Sequence, residues 1–121
     1  MTTIESDRLY YWQPVVESFL KRLKTAGFKF TSVDYGEDSV AVRSVKAAVN
    51  AICAVDYCVL RLENRYGDQR WVSLLLGNGP HEIVCDYALD KGVDYVTELH
   101  EAEWRDKEIP TISKDIYYEK I

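Results

Sequence analysis

The sequence predicts an α+β fold in which an antiparallel sheet of about four to five strands carries two or three helices on one face. Three observations support it. Three apolar segments follow one another between residues 55 and 87, separated only by short turn sequences, as in an antiparallel meander. Stretches with helical spacing of apolar residues lie before and after them. The regular strand–helix alternation that a doubly wound parallel sheet requires is absent.

Two helices are expected in the first half of the chain. The first runs from about Pro14 to Ala26, because proline suits the first helical position and Gly27 suits the residue after the end. The second starts after Ser44, a favourable N-cap. Its apolar residues recur at i, i+3, i+4 and i+7, namely Val45, Ala48, Val49 and Ile52.

Five short segments have strand character, because their apolar residues alternate or form short runs between turn residues. They are residues 28–35, 40–42, 55–63, 71–76 and 82–87. The strongest turn signals are Gly36-Glu37-Asp38-Ser39 and Asn64-Arg65-Tyr66-Gly67-Asp68.

A last helix is expected over about Leu89 to Arg105, with a start as late as Asp94 because Gly92 weakens its first turns. Its buried stripe is predicted to be Leu89, Val93, Val96 and Leu99. One flank, about 135° around the helix from that stripe, carries Asp90, Asp94, Glu98 and Glu101. The tail from Ile109 to Ile121 is either an edge strand or an arm.

Length and composition indicate a single domain over residues 1–121. No apolar stretch is long enough to span a membrane and the N-terminus does not resemble a signal peptide, so we expect a cytoplasmic protein. Cys53, Cys58 and Cys85 lie in apolar segments, as free buried thiols do in a reducing compartment. The net charge of −5 argues against direct binding of nucleic acid.

The stretch Gly77-Asn78-Gly79-Pro80 superficially resembles a phosphate-binding loop. A dinucleotide fingerprint needs a third glycine and a following helix whose amides face the phosphate. Here Pro80 removes one amide donor, and a strand is predicted next. We therefore expect a bend between two strands.

His81, Cys58 and Cys85 are the residues that an enzyme or metal protein would use. On one extended strand His81 and Cys85 would lie about 13 Å apart, too far for a nucleophile and its base. Cys58 and Cys85 could meet across the sheet, but a zinc site would need two further ligands. Catalytic residues, cofactors and metals are not predicted, and a small Cys/His enzyme is a minor alternative. His100 is predicted to be a partly buried side chain bound to a neighbour.

Negative charge is concentrated near the C-terminus, because residues 82–108 hold nine acids and three bases. The simplest interpretation is a solvated outer face. The functional hypothesis is that Asp90, Asp94, Glu98 and Glu101 dock electrostatically against Lys and Arg of a protein partner with a basic surface.

Aromatic residues cluster near both ends of the chain, as Tyr10-Tyr11-Trp12 and Tyr117-Tyr118. Tyr and Trp are enriched in interfaces between chains, so these residues are candidates for an interface, with core packing as the alternative. A homodimer or a larger structural assembly is therefore the second hypothesis.

The segments Ala54-Val55-Asp56, Trp71 to Gly79 and Glu82 to Tyr87 resemble, in sequence texture rather than in a diagnostic motif, small uncharacterised α+β proteins encoded by bacteriophages and prophages. The resemblance covers about half of the chain and transfers no catalytic residue. It implies a non-enzymatic regulatory protein that binds host or phage proteins, including inhibition of a nucleic-acid-handling defence system.

Overall fold

A computed structural model describes residues 3–105 and Lys107, and it has the predicted α+β architecture. The elements, in chain order, are α1 (Thr3–Thr25), β1 (Lys29–Asp34), β2 (Ser39–Ala41), α2 (Val45–Cys53), β3 (Tyr57–Glu63), β4 (Gln69–Leu75), a 3-10 helix (Pro80–Glu82), β5 (Val84–Ala88) and α3 (Tyr95–Trp104). Among the described residues, no helix is long and apolar enough to cross a membrane.

The five strands form one antiparallel sheet in the order β2-β1-β3-β4-β5. At its centre, Leu60 lies opposite Val33 on one side and Val72 on the other, and all three side chains are fully buried. The residues next to them along each strand point to the opposite face, where Arg61 lies opposite Trp71. The alternation expected of a half-buried sheet is therefore present.

Helix α1 is the central helix and packs against both α2 and α3. Its core-facing side chains recur at helical spacing and are fully buried; they are Val15, Val16, Phe19, Leu20 and Leu23. Full burial of an aliphatic or aromatic side chain stabilises the fold by about 1.5–3 kcal/mol. This stripe belongs to the same apolar core as the buried side chains of the sheet.

Helix α2 confirms the sequence prediction, since Ala47 N donates a 3.1 Å hydrogen bond to the N-cap Ser44 Oγ. Helix α1, however, begins at Thr3 rather than at Pro14, so the predicted start is wrong. Proline inside a helix removes a hydrogen bond and clashes with the preceding turn, at a cost of about 3 kcal/mol. Burial of Trp12 and Val15 on either side of Pro14 offsets this cost.

Helix α3 is shorter than the predicted 89–105 helix and starts at Tyr95, close to the alternative start at Asp94. Gly92 has a φ of +86°, a left-handed conformation that ends any continuous helix from Leu89. The buried side chains of α3 are Val96, Thr97, His100 and Trp104. The predicted stripe was therefore wrong at Leu99, which is 45% exposed, while Leu89 and Val93 pack against the core from the loop before the helix.

The rotation of α3 is set by its contacts with α1. Trp104 Nε1 donates a 2.8 Å hydrogen bond to Ser18 Oγ, and Arg22 Nη2 donates one of 2.8 Å to Glu103 Oε1. These contacts join residues more than 80 positions apart in sequence. They turn Trp104 towards α1 and leave Leu99 at the surface.

Candidate functional site

Three of the four predicted acidic residues lie together on the outside of α3. Asp94 is the residue before the helix, and Glu98 and Glu101 follow at intervals of four and three residues. At about 100° per residue, their positions span roughly 60° of the helix circumference. All three are exposed, and in the described part of the chain neither Asp94 nor Glu98 forms an ion pair. Glu101 lies 3.8 Å from Arg105 at the surface.

Asp90 does not belong to this row, which corrects the prediction. It precedes the helix, and its Oδ1 accepts hydrogen bonds from Arg70 Nε at 2.7 Å and Asn64 Nδ2 at 3.0 Å. The hydrogen bond from Asn64, together with the hydrogen bond and charge of Arg70, holds the pKa of Asp90 below its usual value. Its carboxylate therefore ties the loop before α3 to the β3–β4 turn and is compensated within the chain.

Two large apolar side chains lie beside the carboxylates, and the sequence pattern did not predict either of them at the surface. Tyr95 is 49% exposed and Leu99 is 45% exposed. Tyr95 directly follows Asp94 and Leu99 directly follows Glu98, so each lies about 100° around the helix from an acid. They are one helical turn apart and form an apolar strip parallel to the carboxylates. The signal that could have located them is the acidic flank combined with a helix start at Asp94.

A cleft separates this apolar strip from α1. It has a volume of about 220 Å³ and is lined by Lys21, Arg22, Thr25, Tyr95, Val96 and Leu99. Lys21 is a largely exposed cation 3.7 Å from Glu17, whereas Arg22 is less exposed and bound to Glu103. The hydrogen bond from Arg22 lowers the pKa of Glu103 and keeps it ionised.

The molecule therefore carries three adjacent strips on one surface. We call them the cationic strip (Lys21 on α1, beside an Arg22 that Glu103 neutralises), the apolar strip (Tyr95 and Leu99) and the anionic strip (Asp94, Glu98 and Glu101). Exposed apolar side chains with a charged border are typical of protein–protein contacts. We refer to the apolar and anionic strips together as the α3 surface.

His100 lies on the buried side of α3, opposite the α3 surface. It is fully buried, and its ring packs edge-on against Phe19 with centroids 5.2 Å apart. Its Nε2 lies 3.0 Å from the carbonyl oxygen of Pro80, which can only accept, so Nε2 carries the proton. Burial lowers the pKa of His100, which is therefore neutral at pH 7. The prediction of a His bound to a neighbour is correct, although the burial is complete rather than partial.

The three residues of the alternative Cys/His site do not come together. Cys58 is buried on the core face, and burial raises the pKa of its thiol to about 12. Cys85 is exposed, contrary to expectation, because the register between β4 and β5 shifts at this point. His81 lies in the 3-10 helix rather than on a strand, with its Nε2 3.0 Å from Glu82 Oε1. Among the described residues, no cluster of three or more His, Cys, Asp or Glu side chains is placed to hold a metal ion.

The segment Gly77-Asn78-Gly79-Pro80 links β4 to the short 3-10 helix and then to β5, which begins at Val84 rather than at the predicted residue 82. Gly77 has a φ of +134°, which explains the need for glycine there. The prediction of a bend is correct, since a single 3-10 turn follows it.

The aromatic residues near the N-terminus belong to the core in part. Trp12 is 6% exposed and packs edge-on against Tyr11, with ring centroids 5.2 Å apart. The core alternative therefore applies to Trp12, and its proposed role in an interface is corrected. The side chain of Tyr10, and Tyr117 and Tyr118 with the rest of the tail 108–121, lie outside the described residues.

Comparisons of the chain with models of protein families, with curated proteins and with solved structures gave no match. The assignment of a function therefore depends on the surface described above.

Proposed function

We propose that this chain is a non-enzymatic binding protein whose α3 surface docks against a protein partner with a basic surface. The observation that carries the proposal is the exposure of Tyr95 and Leu99, one turn apart, beside three uncompensated or weakly compensated carboxylates. Desolvation of the two apolar side chains supplies affinity. The carboxylates supply orientation and speed the encounter with Lys and Arg of the partner.

The regulatory version of this proposal, in which the partner is a nucleic-acid-handling defence protein of a phage host, requires the carboxylates to imitate phosphates. Without Asp90 the row spans only residues 94–101, or about 10 Å at 1.5 Å per residue. That length matches about two phosphate steps. The row therefore favours docking on a compact basic patch over imitation of a long nucleic-acid backbone.

The proposal is tested by affinity capture from the native host with immobilised protein, at about 50 and 500 mM salt. The variant Glu98→Lys/Glu101→Lys reverses two charges on the α3 surface. The matched control Glu37→Lys/Asp38→Lys makes the same charge change at exposed positions in the β1–β2 turn. We expect the first variant and high salt to abolish capture of a specific protein, and the control to retain it.

Equal capture by wild type and both variants would contradict the proposal. Competition of the captured protein by duplex DNA or RNA would support the defence-related version, because the partner would then use one basic surface for both ligands.

A further inference from the structure

The order of the three strips has a consequence for the identity of the partner. Going around the helical layer, the cationic strip on α1 comes first, the apolar strip second and the anionic strip third. Helices α1 and α3 run antiparallel, since Thr25 lines the cleft with Tyr95 while Ser18 binds Trp104 at the other end. The two charged strips thus flank the apolar strip at the same height along the helices.

This pattern is complementary to its own two-fold image. A two-fold axis that runs parallel to the helices along the apolar strip places the α1 of one copy over the α3 of the other. Lys21 of each copy then faces Glu98 and Glu101 of its partner, and the Tyr95 and Leu99 side chains of both copies meet at the axis. An isologous interface requires this kind of self-complementarity.

We propose that a second copy of this chain is a partner of the α3 surface, through an isologous contact of α1 and α3 with α3 and α1. The inference rests on the proposed function, because it uses the same surface. A heterologous basic protein then competes with dimerisation.

The sheet edges are poorer sites for self-association. Strand β2 has only three residues, and β5 contains a register irregularity at Cys85, where Ser73 Oγ donates to Asp86 O and accepts from Asp86 N. Short and irregular edge strands disfavour the addition of another strand. The helical surface is therefore the better candidate for a homodimer.

The contact is small. Helix α3 is about 15 Å long, and the two neighbouring helices together are about 20 Å wide, so each copy contributes a footprint of roughly 300 Å². Stable interfaces bury about 800 Å² per partner. We therefore expect a weak dimer, half formed at roughly 10–500 μM chain, that weakens as salt is raised.

Charge-swapped variants test the geometry by sedimentation equilibrium from about 10 μM to 1 mM at low salt, where screening is weakest. Lys21→Glu/Thr25→Glu makes the cationic strip acidic, and Glu98→Lys/Glu101→Lys makes the anionic strip basic. Each variant alone should dissociate at least tenfold more readily than wild type. An equimolar mixture of the two should recover the wild-type affinity, because both contacts in the mixed dimer pair opposite charges. Glu37→Lys/Asp38→Lys should dimerise like wild type.

Recovery in the mixture also shows that both variants are folded. A wild-type chain that stays monomeric at 1 mM, variants that all dimerise equally, or a mixture that stays monomeric would each overturn the inference. Such a result leaves the proposed function intact if affinity capture still depends on Glu98 and Glu101. If the chain dimerises but affinity capture does not depend on Glu98 and Glu101, only the proposal of a heterologous partner is overturned.

Discussion

His100 Nε2 donates a 3.0 Å hydrogen bond to the carbonyl oxygen of Pro80, and this contact fastens α3 to the turn that follows β4. The other ring nitrogen, Nδ1, is buried and has no hydrogen-bond partner among the described residues. Phe19 and Trp104 surround the ring with aromatic surface. The α3 surface thus depends on a neutral imidazole in an apolar site.

This site predicts a pH-dependent stability. The pKa of His100 is lowered in the folded chain, mainly by burial, whereas in the unfolded chain it is about 6.5. The unfolded state therefore binds more protons as pH falls below about 6.5, and stability decreases with a slope of at most about 1.4 kcal/mol per pH unit. Nearby Glu101 and Glu103 favour the protonated ring, and Arg22 opposes it.

Urea unfolding between pH 7.5 and 5.5 checks this prediction, since ordinary carboxylates titrate mostly below that range. We expect His100→Gln, which can still donate to Pro80, to have a flatter pH profile than wild type. Parallel profiles for wild type and His100→Gln would show that His100 does not cause the dependence.

The rotation of α3 about its axis is tested by replacing a buried leucine on α1 and the exposed Leu99 on α3 with alanine and comparing the losses of stability. Leu23 on α1 is fully buried, so Leu23→Ala should lower the free energy of unfolding by about 2–5 kcal/mol. Leu99 is largely exposed, so Leu99→Ala should lower it by less than about 1 kcal/mol. Thermal or urea unfolding measures both, and similar losses at the two positions would mean that Leu99 faces the core after all.

Asp90 is expected to matter for stability and Asp94 for binding. Asp90→Ala leaves the part-buried Asn64 and Arg70 without their shared acceptor, so it should lower the urea midpoint. Asp94 makes no side-chain capping bond, so Asp94→Ala should leave the midpoint close to wild type. A larger loss of stability for Asp94→Ala would reverse the roles that the structure assigns to the two acids.

Thiol labelling distinguishes the three cysteines. Cys85 is exposed, whereas Cys53 and Cys58 are buried and the pKa of Cys58 is raised to about 12. Ellman's reagent should therefore titrate one thiol per native chain and all three after unfolding. Cys85→Ser should remove the fast-reacting thiol. Rapid labelling of Cys58 in the native protein would contradict the placement of β3 in the core.

Local signals predicted much of this fold. Ser44 and the spacing from Val45 to Ile52 specified α2, because a cap and an apolar stripe are written in neighbouring residues. Pro14 misled the prediction of α1, since tertiary burial around it overrides a local preference. Gly92 correctly indicated that α3 starts after it, near Asp94.

The candidate site was predictable only in part, because contacts between residues far apart in sequence determine the rest of it. The clustering of Asp94, Glu98 and Glu101 follows from helical periodicity alone. Asp90 does not join that row, because it binds Arg70, twenty residues away. Leu99 is exposed because Trp104 binds Ser18 across the helical layer. Contacts of this range leave no periodic pattern in the sequence.

The claim that the α3 surface binds protein is tested most directly by photo-crosslinking in the native host, with a photoreactive phenylalanine analogue at position 99. The same analogue at Tyr66, which is 78% exposed in the β3–β4 turn, is the control for random contact. We predict a discrete adduct, with a second copy or with another protein, from position 99 and none from position 66. No adduct from position 99, or equal adducts from both positions, would contradict the account.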